Sequence, residues 1–392
     1  MPDHVRVIVV RGHLVTPWEL KPWALLPERF SVGYLHTRSN QFDPGALALE
    51  RIPARARRDL LPKGRLGDLV TGVVGERYVG LDETLAGADV VHAAELSFWF
   101  AAEAARHKRR LGYALVQTVW ETIPFLEAYR NREAKANRRL VVAESDLFVA
   151  ATERARQALL LEGVEDGRIV ISPPGIDVDR FRGAAPPDPP PPEHVIVSPG
   201  RLVWEKGHQD VLRAVAALHR GLVPNPADRP PRVLIVGSGP EKERLRAYAR
   251  ELGLAGYVDF RSVPYDEMPA LFASSSCMVL ASLAGAGCEL PPLSGRFRCF
   301  WEEQFGMVLA EAMAARLPLV VSCSGAIPEV VGDSAGLFVP GDWMGLAQAL
   351  AAGPLARPAA QRVEHPAELV SRYSSASAAE RLAAAYDRLL AA

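Results

Sequence analysis

HVIVSPGRLVWEKGHQDVLRAVAALHR, residues 194–220, reads in three parts. Residues 194–198 are a β-branched apolar run, the pattern of a buried strand. Residues 209–220 carry apolar positions at helical spacing. Between them, Pro199-Gly200-Arg201-Leu202-Val203-Trp204-Glu205-Lys206-Gly207 is a loop bracketed by glycines and holding two cations. A strand that passes through a short loop into a helix is half of a βαβ unit. In open α/β sheets ligands gather where such loops leave the carboxyl edge. An arginine there can grip a phosphate bidentately, and a lysine acts as a point charge. A pair of solvated surface cations has the same local pattern, so both meanings stand at this point.

Strands are expected at residues 5–10, 30–36, 89–92, 115–119, 147–151 and 168–172. Helices are expected at 96–109 and 153–162. The run Pro186-Pro187-Asp188-Pro189-Pro190-Pro191-Pro192 then interrupts the alternation, because such a segment favours extended polyproline II over sheet or helix. Beyond it strands recur at 194–198, 232–236, 257–260, 277–280 and 317–322. The chain closes on an apolar-periodic helix at 376–390. The pattern predicts two α/β domains with mostly parallel sheets: an N-terminal domain at 1–183, a proline-rich linker at 184–193, a C-terminal domain at 194–375, and a last helix at 376–392.

With 392 residues, 49% of them hydrophobic, two sizeable cores can form. The net charge of −1 offers no broad field for a nucleic-acid partner. The four cysteines, Cys277, Cys288, Cys299 and Cys323, make no C-x-x-C pair, which fits free thiols better than a disulfide framework or a zinc site. No run of 18 apolar residues is present and the N-terminus lacks the pattern of a signal peptide, so a cytoplasmic location is expected.

A second segment carries chemistry. Trp301-Glu302-Glu303-Gln304-Phe305-Gly306-Met307-Val308-Leu309-Ala310-Glu311-Ala312-Met313 places a glycine turn before a strong helix. A helix start presents unpaired N–H groups and the positive end of the macrodipole, which suits phosphate. Glu303 and Glu311 flank it, and eight helical positions span roughly 12 Å, the scale of a nucleotide-diphosphate sugar. Ordinary acidic residues near a helix start are the other interpretation.

Together the two segments resemble family 4 of the retaining glycosyltransferases. The resemblance rests on G-R-L-x-x-x-K-G at Gly200–Gly207 and on the two glutamates Glu303 and Glu311 with seven residues between them. It extends through Ser324-Gly325-Ala326-Ile327-Pro328-Glu329-Val330-Val331, Gly336-Leu337-Phe338-Val339-Pro340-Gly341-Asp342, Pro173-Pro174-Gly175-Ile176-Asp177 and Arg180-Phe181. It implies a GT-B architecture, two Rossmann-like domains facing a cleft, the first binding the acceptor and the second the donor, with the last helix at 376–392 crossing back to the first, and a hexosyltransferase that needs no metal and no cofactor. The donor would be a nucleotide-diphosphate sugar. The resemblance assigns Arg201 and Lys206 to the donor diphosphate, Glu311 to the ribose hydroxyls and Glu303 to the sugar hydroxyls. It also assigns the backbone of Phe305, Gly306, Met307 and Val308 to the sugar-phosphate cradle, Val263 to the nucleobase side and Gly12 to the phosphate from the other domain. The acceptor, whether glycan, lipid-linked or small molecule, is not specified. A nucleotide-sugar epimerase or hydrolase, or a non-catalytic nucleotide-sugar binder, would share these motifs.

The pattern departs from the family in the first domain. The first loop reads Arg11-Gly12-His13 where the family commonly has a glycine pair. Gln117-Thr118-Val119-Trp120-Glu121-Thr122 carries Trp120 where a histidine is usual. Glu121 or His13 then takes a polar role, or Trp120 packs on the sugar, or Trp120 closes the core. His92 is either an acceptor contact or a structural histidine. Residues 284–300, with Cys288, Arg296, Arg298 and Cys299, look like an insertion serving as an acceptor lid or a plain loop. Asp177-Val178-Asp179 imitates a metal-binding D-x-D but falls in a turn. Gly237-Ser238-Gly239 begins a dinucleotide fingerprint that fails at Lys242. The basic stretches 106–110 and 130–139 would suit an anionic membrane or simply a solvated helix face.

Overall fold

A computed structural model describes residues 4–40, 42, 47–61, 67, 70, 76–126, 132–189, 191–285, 288–289 and 298–391. The chain divides into two compact units, Met1–Gly175 with Ser374–Ala392, and Ile176–Tyr373.

The first unit is built on seven parallel strands: β1 (Val5–Val9), β2 (Phe30–His36), β3 (Glu50–Pro53), β4 (Val90–Ala94), β5 (Ala114–Val119), β6 (Leu147–Ala150) and β7 (Ile169–Ile171). Their order across the sheet is β3-β2-β1-β4-β5-β6-β7. A parallel sheet covered on both faces needs continuous apolar strands, and Val7, Ile8 and Val9 are fully buried. One face packs on α1 (Trp99–Leu111), α2 (Arg132–Glu144) and α3 (Glu153–Leu161). The other face receives the C-terminal helix, Ser375–Leu390, through Leu382, Ala383, Ala385 and Tyr386. The edge strand β3 was not expected from the sequence. It carries Glu50 and Arg51, is largely exposed, and has no apolar period to betray it.

The second unit repeats the scheme with β8 (Val195–Pro199), β9 (Arg232–Val236), β10 (Val258–Arg261), β11 (Cys277–Leu280), β12 (Leu319–Ser322) and β13 (Gly336–Phe338), all parallel. The order is β10-β9-β8-β11-β12-β13. The direction of strand succession reverses at the β8–β11 pair, which makes that pair the topological switch point.

The division between units falls after Gly175, ahead of the proline run. The reason lies in α4 (Val178–Arg182), whose Phe181 is buried beside Phe272 (ring centroids 5.8 Å apart) and Tyr265 (6.2 Å) in the second unit. Asp177 caps α4 by accepting the Arg180 N–H at 3.4 Å, so the D-x-D look-alike is a helix cap. Pro186, Pro187 and Pro189 lie exposed after it. Of the 284–300 segment, Cys288–Glu289 and Arg298–Cys299 form a short antiparallel pair with Cys288 opposite Cys299. Residues 286–287, 290 and 291–297, Arg296 among them, lie outside the described residues.

The C-terminal helix is fastened by a buried polar knot. Tyr386 Oη lies 2.9 Å from the Trp23 Nε1 donor and 2.6 Å from His92 Nδ1. Arg381 donates to Ser172 Oγ (3.2 Å) and to the Pro173 carbonyl (3.1 Å). Tyr386→Phe keeps the ring but strands both nitrogen partners without solvent. We expect it to cost about 2–3 kcal/mol of unfolding free energy, measurable by urea denaturation. An unchanged midpoint would mean that the helix is held by its apolar face alone.

Candidate functional site

Four loops leave the carboxyl edge of the second sheet around the switch point, and glycine lets them touch. Gly207 ends the loop after β8 with φ +68°. A Cβ there would stand 1.8 Å from the Ala281 carbonyl oxygen, so no side chain fits. The Leu283 N–H donates to the Glu205 carbonyl at 2.8 Å and ties this loop to the one after β11. Gly325, after β12, is as constrained, since its Cβ would fall 2.1 Å from the Glu303 carbonyl oxygen. The loop after β9 packs on the same region, with the Leu202 N–H donating to the Ser238 carbonyl at 2.8 Å. The G-S-G stretch therefore serves close backbone packing.

This frame delivers two charged side chains to one point. Lys206 Nζ lies 2.6 Å from Glu303 Oε2, and both side chains are nearly buried, at 13% and 8% exposure. Ser282 Oγ donates to the same carboxylate oxygen at 2.6 Å. The Trp301 ring lies beneath the ammonium, 4.9 Å from its centroid. The backbone of Glu303 is pinned too: its N–H donates to Ser324 Oγ (3.1 Å), its carbonyl accepts from the Ala326 N–H (2.8 Å), and Ser324 Oγ donates onward to the Leu283 carbonyl (2.6 Å). Arg201 is different. Its side chain is 66% exposed and, among the described residues, pairs with Glu205 alone, at 3.9 Å.

Just past Glu303, Gly306 adopts φ +76° and starts α8 (Met307–Ala314) without a side-chain cap. The Leu309 N–H donates back to the Gly306 carbonyl at 2.8 Å, whereas the Met307 and Val308 N–H groups precede the first intrahelical acceptor and lie at the helix start. Phe305 is buried edge-on against Tyr373, 5.3 Å between centroids, so its contribution to a ligand would come from the backbone. Glu311, on the second turn of α8, is buried and accepts from Tyr265 Oη at 2.9 Å. Burial pushes its carboxyl up to about 7, against the hydrogen bond from Tyr265 and the charge of Arg180, which both lower it. Val263 is partly buried in the loop after β10, two residues before Tyr265.

Arg201, Lys206, Val263, Glu303, Phe305, Gly306, Met307, Val308 and Glu311 thus all belong to the second unit, and Lys206 and Glu303 are in direct contact. Three supporting residues carry no motif and were missed. Ser282 and Tyr265 hold the two glutamates. His208 is buried, donates through Nε2 to the Arg201 carbonyl (3.1 Å) and accepts from Ser198 Oγ at Nδ1 (2.9 Å). Burial first, and the Lys206 charge after it, push the His208 imidazole down to about 4, so it stays neutral.

The other five residues belong to the first unit. His92 is fully buried and both ring nitrogens are used, Nδ1 by Tyr386 Oη and Nε2 by Thr118 Oγ1 (2.7 Å). Burial holds it well below the usual histidine range. It is a core histidine, and the expectation of an acceptor contact is set aside on that ground. Arg11 turns inward and is buried, donating to the Val10 (3.1 Å) and His92 (2.9 Å) carbonyls and pairing with Glu19 at 2.7 Å. Gly12 follows with φ +62°, and a Cβ there would stand 2.8 Å from the Phe100 ring. His13, Trp120 and Glu121 are partly buried. The Trp120 N–H donates to Glu95 Oε1 at 2.9 Å, and Glu121 Oε1 accepts from the Thr122 (3.0 Å) and Ile123 (2.8 Å) N–H groups. Glu95 itself was not anticipated. It sits at the end of β4 with φ +60°, unusual for a residue with a side chain, and burial pushes its carboxyl up to about 8.

The basic stretch at 106–110 closes α1, and its cations are partnered. Lys108 pairs with Asp146 (2.5 Å), Arg109 with Glu144 (2.6 Å) and Arg110 with Asp82 (2.7 Å). Among the described residues no helix is long and apolar enough to cross a membrane, and no group of three His, Cys, Asp or Glu side chains is placed to hold a metal ion.

Comparison with known proteins bears on this geometry. Residues 182–353 match the family described as Glycosyl transferases group 1, and residues 14–180 match Glycosyltransferase Family 4. The chain is 34% identical over 174 residues to the GDP-mannose-dependent alpha-(1-6)-phosphatidylinositol monomannoside mannosyltransferase of Mycolicibacterium smegmatis, covering 41% of this chain and 40% of that protein. It is 29% identical over 280 residues to the D-inositol 3-phosphate glycosyltransferase of Acidothermus cellulolyticus, covering 64% and 56%. The matches therefore span about two fifths to just over half of these relatives. Among solved structures, Anabaena HepE in complex with UDP aligns with a TM-score of 0.68 at 17% identity, covering 98% of this chain and 100% of that one. The sucrose-phosphate synthase of Thermosynechococcus elongatus aligns at 0.69 and 16%, covering 99% and 100%.

The raised carboxyl of Glu311 makes a stability prediction. A folded-state value near 7, above the unfolded carboxylate range, means that ionisation opposes folding. The penalty is absent below about pH 4 and complete above pH 7. Glu311→Gln cannot ionise and still accepts from Tyr265. Ligand-free Glu311→Gln should therefore melt higher than the parent at pH 8, by up to about 3 kcal/mol of stability, with the difference closing towards pH 5. Coincident melting curves at both pH values would contradict it.

Proposed function

Because the chain belongs to the group 1, family 4 glycosyltransferases and has their GT-B fold, we propose that it transfers a sugar from a nucleotide-diphosphate sugar to an acceptor hydroxyl, with retention of anomeric configuration. The observation that carries this proposal is the buried contact of Lys206 with Glu303, set beside the open helix start at Gly306.

In this scheme the donor diphosphate lies over the start of α8, held by the N–H groups of Gly306, Met307 and Val308, by Lys206 and by Arg201. Arg201 is exposed and, among the described residues, has no partner nearer than Glu205 at 3.9 Å, so it is available to a phosphate. Glu303 accepts from the sugar hydroxyls. Its Oε2 already receives Lys206 and Ser282, an arrangement that suits holding a sugar better than attacking it. Glu311 accepts from the ribose hydroxyls, and Val263 lies on the nucleobase side. The bond from the anomeric carbon to the diphosphate oxygen breaks while the acceptor oxygen bonds to that carbon from the same face. The acceptor's proton passes to the departing phosphate oxygen. Negative charge growing on the diphosphate is met by the lysine, the arginine and the helix start, which supply the role a metal ion would otherwise fill. Gly12 is assigned to the donor phosphate, and His13, Trp120 and Glu121 to the acceptor or sugar side. The relatives' names point to GDP-mannose as one donor to try and the HepE complex to UDP-sugars. Inositol phosphates and mannosides are the first acceptors to try.

A thermal-shift panel of GDP-, UDP- and ADP-sugars identifies the donor, since a ligand at 100 times its dissociation constant adds about 2.7 kcal/mol of stability. Nucleoside diphosphate release with candidate acceptors then reads transfer. Arg201→Ala should melt as the parent does and lose transfer by at least about 100-fold. Lys206→Ala should lose transfer and also stability, by about 3–5 kcal/mol, because it leaves a buried carboxylate unpaired. The double variant Lys206→Ala, Glu303→Gln should recover much of that stability without activity. Parental transfer rates in Arg201→Ala would overturn the assignment.

A further inference from the structure

The loop after β10 does more than pass the nucleobase side. Its turn at Tyr265–Glu267 brings the Tyr265 phenol to Glu311, donating to Oε1 at 2.9 Å, while no described residue hydrogen-bonds Oε2. The ring of Tyr265 is held from the other side. The Arg180 guanidinium lies 5.2 Å from its centroid, Arg180 Nη2 donates to Asp266 Oδ1 at 2.6 Å, and Phe181 meets the ring edge-on at 6.2 Å. Arg180 and Phe181 come from α4, which packs on α8. A chain of contacts therefore runs from α4 through Tyr265 to the carboxylate on α8.

We propose that Tyr265 is a positioning residue for the nucleotide donor: it commits one oxygen of Glu311, so that the second oxygen accepts from the vicinal hydroxyls of the nucleoside's ribose, with Arg180 fixing the phenol in place. The inference rests on the donor-site assignment above and adds to it a partner for Glu311. A diol donates two hydrogen bonds, and a carboxylic acid that has kept its proton is the poorer acceptor. A buried carboxyl tends to keep its proton, and Tyr265 and Arg180 are what oppose that tendency here. The elements packed on α8 bring other charges near: Asp179 and Arg182 on α4, Glu329 on the helix Ile327–Val331, and Glu368 and Arg372 on the helix Ala367–Arg372. Of the charged groups on these elements, Arg180 is the one that acts on the Glu311 carboxyl.

Calorimetric titration from pH 5.5 to 8.5 tests this on the whole chain, with GDP-mannose, UDP-glucose and ADP-glucose as probes. Their diphosphate is a diester with no group titrating in that range, so pH dependence reports the protein. Parent affinity should fall about tenfold per unit below a midpoint near 7. Tyr265→Phe keeps the ring against Arg180 and Phe181 but removes the donor. It should weaken binding at neutral pH and move the midpoint up by about one unit. Arg180→Met should move it the same way, and Glu311→Gln should bind weakly with no slope. A purely structural tyrosine would lower the melting temperature and leave the midpoint in place. That outcome, or a persistent slope in Glu311→Gln, overturns the inference while the donor site stands. If the parent binds none of the three probes, the donor-site assignment itself fails, and the inference with it.

Discussion

Lys206 and Glu303 meet in near-complete burial, and much of the second unit is arranged so that they can. An ion pair away from water is stable only when its geometry is good and its remaining hydrogen-bonding capacity is met. The additional partners are Ser282 on the shared oxygen and Trp301 beneath the ammonium. Bringing them together requires loops from three strands to approach within contact distance of one another's carbonyl groups, which only glycine permits at positions 207 and 325. The pair also joins two segments almost a hundred residues apart, so it works as a register mark between the loop after β8 and the turn before α8.

The fold was largely legible because parallel strands buried on both faces write themselves as apolar runs. β1, β2, β8, β9 and β11 fall within a residue of where those runs lie. β3 escaped because an exposed edge strand has no such signature. The two compact units divide ahead of the proline run for a related reason. A proline run is conspicuous in sequence, but the chain changes allegiance where a side chain finds its core, and Phe181 does so before the prolines begin. The motif residues of the candidate site were legible through their types and spacing. Ser282, Tyr265 and His208 were not, since a single serine, tyrosine or histidine acquires meaning only from what stands next to it.

The first unit shows the same limit from the opposite side. His92 lies in the middle of β4, short of the carboxyl edge where ligands often bind, and the fold spends both of its nitrogens on internal partners. Arg11 replaces a small residue that the resemblance led one to expect, and it is accommodated by turning inward onto the carbonyl groups of Val10 and His92. What stays at that edge is a turn built on carboxylates: Glu95 accepts the Trp120 N–H, and Glu121 accepts those of the two residues after it. The unusual backbone of Glu95 belongs with this turn, since strain of that kind persists only where surrounding structure demands it.

The C-terminal helix has a consequence for how the protein is made. Tyr386 closes the face of the first sheet from a point 294 residues beyond His92. Domains ordinarily complete themselves in the order in which they leave the ribosome. Here the second unit, continuous from Ile176 to Tyr373, has all its residues before the first unit has its last helix. Through the whole of that synthesis the earlier unit carries an uncovered apolar surface around Trp23 and Val9. The nascent chain therefore matures out of order, its later half settling while its earlier half still waits for a lid.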